Sequence, residues 1–188
     1  MMINAVFDAC VLYSAPLRDF VLRLAEDDLV VPYWSNEIND EWTRNLLRNR
    51  PDLKQENLER TRQNMDTRFP RGLVTGYESI IPTLALSDPN DRHVLAVAIH
   101  VQAEYIVTFN LDDFPNAVLK RYGIEAVPPD EWVMRLIQES PFAFFRSVKK
   151  HRLSLTRPSK TVEEYLATLE KQGLSKTVMF LREHKDDI

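Results

Sequence analysis

The sequence predicts an α/β protein built on a parallel sheet and continued by a helical extension. Three observations lead there. Short apolar runs, "INAVF", "LVVPYW", "EYIVTFN" and "IEAV", alternate with stretches of helical spacing. Acidic residues recur where these runs end, as Asp8 does after Phe7, and open α/β sheets bind ligands at that rim. Beyond Asp130 the patterns are all helical.

Taken in order, Ile3 to Phe7 has strand length, and Asp8 interrupts the apolar run before Ala9 to Leu12. Leu17, Phe20, Val21 and Leu24 then follow helical spacing. Residues 29–34 form a second strand, which Pro32 assigns to a sheet edge or a strand end. Ser35 is a natural N-cap, and Ile38, Trp42 and Leu46 lie on one face of the helix it opens. A polar helix follows Pro51 and runs toward Phe69. A strand is expected in "RGLVTG" and a turn or short helix in "YESIIPTLAL". In "SDPNDRHVLAVAI", Asp88 caps a helix, Pro89 suits its first position, and the helix runs to about Val101. Strands in 104–110 and "IEAV" complete the sheet, and "PPDEW" starts a further helix. Near the end, Thr161 and Glu164 form a capping box and Gly173 stops that helix before a last short one.

Composition narrows the function. With 188 residues, 44% hydrophobic and 28% charged, the chain can build one domain with an appendage or two small domains. The single cysteine, Cys10, rules out an intramolecular disulfide and fits a cytoplasmic protein. No apolar run reaches membrane-span length, and the N-terminus lacks a secretion-signal pattern. A net charge of -4 argues against coating nucleic acid by bulk charge. A local basic stretch does exist: Arg146, Lys149, Lys150, Arg152, Arg157 and Lys160, with no acid between them. It reads as the wet side of a helix packed through Phe142, Phe145 and Val148, as a track for an RNA backbone, or as a docking site for a protein partner.

The acids carry the chemistry. Asp8, Glu41, Asp91 and the group Asn110, Asp112 and Asp113 come from four separate segments that can meet at one rim. Crowded carboxylates repel, and a divalent cation relieves that repulsion. All-oxygen donors suit Mg²⁺ or Mn²⁺. Zinc lacks support, since there is one cysteine and His93, His100, His151 and His184 show no paired spacing. There is no Gly-rich phosphate loop and no G-x-S-x-G elbow. Taken singly, His93 reads as an exposed first-turn residue, Asp112 as a solvated acid, and Glu37 yields to Glu41 on register.

In this order, "VFDACVL", "SNEINDEW", "VTGYESIIPTLALSDPNDRHVLAVAI" and "YIVTFNLDDFP" resemble PIN-domain nucleases, most closely the VapC-type ribonuclease toxins of toxin–antitoxin pairs. The likeness covers roughly residues 2–130. It implies a PIN-like three-layer α/β/α domain over 1–130, leaving a helical C-terminal extension over 131–188. It also implies Mg²⁺-dependent cleavage of RNA by metal-activated water, a cognate antitoxin and a homodimer. By that resemblance Asp8, Glu41, Asp91 and Asp113 are the catalytic, metal-holding acids. Asn110 occupies the family's Asp-or-Asn position, which leaves the fourth ligand open between Asn110 and Asp113. Thr108 and Asp88 support these groups from behind. Arg146, Lys149, Lys150 and Arg152 are candidate RNA contacts. Two other readings stay open: a housekeeping PIN ribonuclease without an antitoxin, and a non-catalytic module that only binds RNA or protein.

Overall fold

A computed structural model describes residues 2–188. Five parallel strands form one sheet: β1 (Ile3–Phe7), β2 (Val30–Ser35), β3 (Leu73–Val74), β4 (Tyr105–Val107) and β5 (Glu125–Val127), in the order β3-β2-β1-β4-β5. The chain therefore steps one way from β1 through β3, crosses back, and steps the other way through β4 and β5. Between β1 and β2 lie α1 (Ala9–Tyr13) and α2 (Ala15–Glu26), and between β2 and β3 lie α3 (Asn36–Asn49) and α4 (Gln55–Arg68). The return to β4 uses α5 (Arg92–His100), and α6 (Asn116–Leu119) leads to β5. Right-handed crossovers put α1–α4 on one face and α5 and α6 on the other. Both faces are covered, so β1, β2 and β4 are buried along most of their length and read as apolar runs without alternation.

The expected elements are present, with one addition and two corrections of detail. The first strand ends before Asp8 as expected. The apolar residues after Asp8, to which the sequence assigns no element, form the five-residue helix α1, with Asp8 as its N-cap. Pro32 is not on an edge strand, because β2 lies between β1 and β3. However, β3 pairs only with Trp34 and Ser35, so Pro32 meets a neighbour on the β1 side alone and its missing N–H costs no ladder bond to β3. The helix after Asp88 begins as a 3-10 turn, Pro89–Asp91, before α5 proper.

Large aromatic side chains fill the core. Trp34, Trp42 and Trp132 are fully buried, and Phe7 meets Trp132 edge-on with centroids 5.2 Å apart. Gly72 is dictated by this packing. Its carbonyl accepts from Trp34 N at 2.9 Å, and a Cβ there would stand 2.8 Å from the Trp34 ring.

After β5 come α7 (Pro129–Glu139), α8 (Pro141–Ser154), α9 (Val162–Glu170) and α10 (Ser175–Arg182). The capping box of Thr161 and Glu164 opens α9, with both reciprocal bonds formed. Helix α10 has Leu174 at its N-cap, which supplies no side-chain oxygen. Asp130 of α7 takes over that task, accepting from Lys176 N, Thr177 N and Thr177 Oγ1 at 2.8, 2.9 and 2.7 Å. Helix α8 lies along α2. The buried His151 joins Asp19 of α2, at 2.8 Å, to the Tyr165 hydroxyl of α9, at 2.9 Å. The apolar stripe of α8 differs from expectation. Phe144 and Val148 are buried and Phe145 stacks on Phe180, but Phe142 is 90% exposed.

No helix among the described residues is long and apolar enough to cross a membrane.

Candidate active site

Asp8 sits where β1 ends, and its position is fixed from three sides. Oδ1 accepts the Ala9 N–H at 2.6 Å, which caps α1. Oδ2 accepts from Thr108 Oγ1 at 2.6 Å and from Cys10 Sγ at 3.2 Å. The residue is 4% exposed. Burial pushes its carboxyl above the ordinary range, and the charge of Glu41 adds to that, outweighing the three hydrogen bonds that favour the anion. The Cys10 thiol is likewise pushed up to about 12 by burial and by the neighbouring carboxylate, so it serves as a neutral donor and not a nucleophile.

Thr108, fully buried just past β4, joins two parts of the site. Besides donating to Asp8, its hydroxyl accepts from Asn110 N at 3.0 Å. The Phe109 N–H donates to Cys10 Sγ at 3.3 Å. The loop from Thr108 to Asn110 is thereby tied to the end of β1, and Asp113 follows on the 3-10 turn Leu111–Asp113.

A cleft of about 560 Å³ opens at this rim. Its walls include Glu37, Glu41 and Arg44 of α3, Asp88 and Asp91 of the turn before α5, and Asn110 and Asp113 of the β4 loop. Asp8 is not among the lining residues, yet it acts on the same charges. Asp91 shows how closely the acids are gathered. Its carboxyl is raised to about 6, first by partial burial and then by repulsion from Asp113, Asp8, Asp88 and Glu41. Asp88 fills its cap position, accepting from Asn90 N at 2.8 Å. Trp42 sets the register of Glu41. Its ring is fully buried, stacked under the Arg18 guanidinium at 4.6 Å, and its Nε1 donates to Asn39 Oδ1 at 2.9 Å.

The structure thus gathers Asp8, Glu41, Asp91, Asp113, Asn110, Thr108 and Asp88 around one rim. Arg146, Lys149, Lys150 and Arg152 lie elsewhere, and none of these four lines the cleft. Lys150 pairs with Asp27, beyond the far end of α2. Arg152 donates to the carbonyls of Lys160 and Ile188, both at 3.3 Å. Arg146 and Lys149 are exposed on α8.

Two residues set aside from the sequence belong to the cleft. Glu37 lines it beside Glu41. His93 is not an exposed first-turn residue. Its side chain is 12% exposed and reaches between the carboxylates of Glu37 and Glu41, at 3.6 and 3.7 Å. Helical spacing held the signal, since 37, 41, 44 and 45 fall on one face of α3.

The donor set fits a hard divalent cation. It consists of carboxylates and one amide oxygen, with no thiolate in play and strong mutual repulsion for a cation to relieve. Among the described residues, no three His, Cys, Asp or Glu side chains stand close enough together to hold a metal ion between them. Mg²⁺ needs no such trio, because it keeps several waters and takes few protein ligands.

Comparison with known proteins identifies the family. Residues 4–112 match the family model described as PIN domain, and residues 129–183 match the one described as VapC50 C-terminal domain. A protein of Mycobacterium tuberculosis named "Putative ribonuclease VapC50" is 43% identical over 72 residues, which is 36% of this chain and 42% of that protein. The chain therefore matches less than half the length of that relative. No solved structure matches.

Proposed function

Because the chain belongs to the PIN-domain family, we propose that it is a Mg²⁺-dependent endoribonuclease and the toxin of a toxin–antitoxin pair. The observation that carries this reading is the cleft itself, where Glu41, Asp91 and Asp113 from distant parts of the sequence line one space and, with Asp8 behind them and Asp88 alongside, raise the carboxyl of Asp91. Structural ion pairs do not explain such a cluster, since like charges gathered at a sheet rim cost stability unless a cation and a substrate use them.

In this proposal Asp8, Glu41, Asp91 and Asp113 hold Mg²⁺, or Mn²⁺ in its place, with Asn110 as a neutral oxygen donor. When bound, the cation supplies charge neutralisation at the phosphate and activation of water for hydrolysis. The protein's own part is positioning. Thr108 and Cys10 aim Oδ2 of Asp8, and the same threonine fixes the backbone of Asn110. Asp88 holds the turn that presents Asp91. No side chain is assigned as a dedicated general base. The substrate is RNA, unpaired where it is cut, because splayed bases give a small protein access to the backbone. Residues 1–130 form the nuclease domain and 131–188 the extension. Of the basic residues, Arg146 and Lys149 are retained as outer RNA contacts. The cognate antitoxin, a homodimer and a cytoplasmic location complete the proposal.

The test is cleavage of labelled RNA by the purified protein with Mg²⁺, with Mn²⁺ and with EDTA, beside Asp8→Asn and Asp91→Asn. Cutting by wild type that is lost in EDTA and in both variants is expected. RNA left whole by wild type with either metal would overturn the proposal and favour a binding module, the reading to which the amide of Asn110 lends itself. Growth arrest on expression, relieved by a neighbouring gene, tests the toxin assignment separately.

A further inference from the structure

Helix α3 presents one arginine to the acidic cleft, and its surroundings are unusual. The carboxylates of Glu37, Asp40, Glu41, Asp88, Asp91 and Asp113 line the cleft, and Arg44 is its only Lys or Arg among the described residues. Asp40 and Arg44 lie one helical turn apart with the acid on the N-terminal side, the order that favours an ion pair within a helix. They do not pair. Arg62 of α4 holds Asp40 instead, with Nη1 2.6 Å from Oδ1, while its other Nη lies 3.5 Å from Asn36 Oδ1. Arg44 makes no ion pair and no side-chain hydrogen bond among the described residues, and it is exposed. It also lines the adjoining hollow between α3 and α4, so it stands on the ridge between the two depressions.

From this arrangement we infer that Arg44 grips a phosphate of the RNA strand entering the cleft, and that Arg62 keeps it free to do so by occupying Asp40. The inference rests on the nuclease reading of the site. A polyanion approaching these acids meets repulsion that a cation bound among them offsets only locally. The neighbouring phosphate needs its own counter-charge, and a guanidinium fork matches two phosphate oxygens. Arg44 is thus a binding residue beside the acids, and Arg62 is a positioning residue that never touches RNA.

Binding of a fluorescein-labelled single-stranded RNA tests both parts. It is measured with Mg²⁺ in the Asp91→Asn background, so that the RNA stays uncut, across a series of salt concentrations. Arg44→Ala is expected to weaken binding about tenfold. It should also reduce the slope of log affinity against log salt by about 0.7, the share of one single-strand phosphate contact. Arg44→Lys should restore the slope and only part of the affinity, because it keeps the charge without the fork. Arg62→Ala should weaken binding by freeing Asp40 to capture Arg44. Adding Asp40→Asn should reverse that loss by more than Asp40→Asn gains alone. Affinity within twofold of the parent and an unchanged slope for Arg44→Ala would overturn the assignment. A double variant as weak as Arg62→Ala would overturn the role of Arg62. Failure of the wild type to cut RNA would instead remove the nuclease reading, and the salt slopes would still decide whether Arg44 meets phosphate.

Discussion

Asp91→Asn should stabilise the protein when no divalent cation is present. The carboxyl of Asp91 is raised from 3.8 to about 6. Each pKa unit corresponds to about 1.36 kcal/mol, so a shift of roughly two units has a ceiling of about 3 kcal/mol. Asp91 is only half-buried, and solvent screening reduces that to about 1 kcal/mol. The sign follows from the direction of the shift. A carboxyl raised on folding contributes fully below the unfolded value near 4, and that contribution is lost as pH rises through about 6. At pH 7.5 the ionised Asp91 therefore opposes folding, and a neutral amide of the same shape removes the opposition. Thermal melts in EDTA at pH 7.5 should show Asp91→Asn about 2–4 °C above wild type, given about 1 kcal/mol and a chain of this size. The gap should shrink at pH 4.5. Millimolar Mg²⁺ should then raise wild type and leave the variant nearly unmoved, narrowing or inverting the order. A variant that melts at or below wild type in EDTA at pH 7.5 would show that the acids do not strain the rim, and the argument from Asp91 would fail.

Other consequences can be measured on the same protein. Thr108→Val should lower stability by about 1–3 kcal/mol in denaturant melts and cut RNA cleavage at least tenfold, while Thr108→Ser recovers most of both, because the hydroxyl serves Asp8 and Asn110 together. Asp130→Ala should cost about 2–4 kcal/mol and speed amide exchange in α10, since it removes the acceptor for two backbone N–H groups and one hydroxyl. Phe144→Ala should cost about 3–5 kcal/mol in chemical denaturation, whereas Phe142→Ala should change stability by less than about 0.5 kcal/mol.

The acids that end strands or open helices could be placed from the sequence because local physics fixes them. An apolar run that stops at Asp8 and a cap-proline pair at Asp88 and Pro89 leave few alternatives. What escaped is decided by packing between distant segments. Helix α1 has five residues, too few for a period to show, so Ala9 to Leu12 carry no assignable element in the sequence. Pro32 signals an edge correctly for its own position, but the two-residue β3 pairs further along and encloses the strand it sits on. Phe142 and Phe144 are both aromatic on one helix, and only the docking of α8 on α2 selects between them. Asp130 looks like an ordinary first-turn acid of α7 until α10 folds against it. His93 reads as solvent-facing until α3 brings Glu37 and Glu41 around it.

The turn between α9 and α10 touches the active-site loop. Ser14, at the break between α1 and α2, donates to Gln172 Oε1. Next to it, Gly173 takes a left-handed φ of 81° and lies so close to Phe109 that a Cβ would stand 3.6 Å from the ring. Phe109 itself is 45% exposed, with only part of its ring sheltered by this turn. During synthesis every acid of the rim leaves the ribosome before Gln172 and Gly173 do. A nascent chain therefore owns its full set of carboxylates while the wall behind Phe109 is still missing, and a fragment cut at residue 130 would stay in that half-built condition.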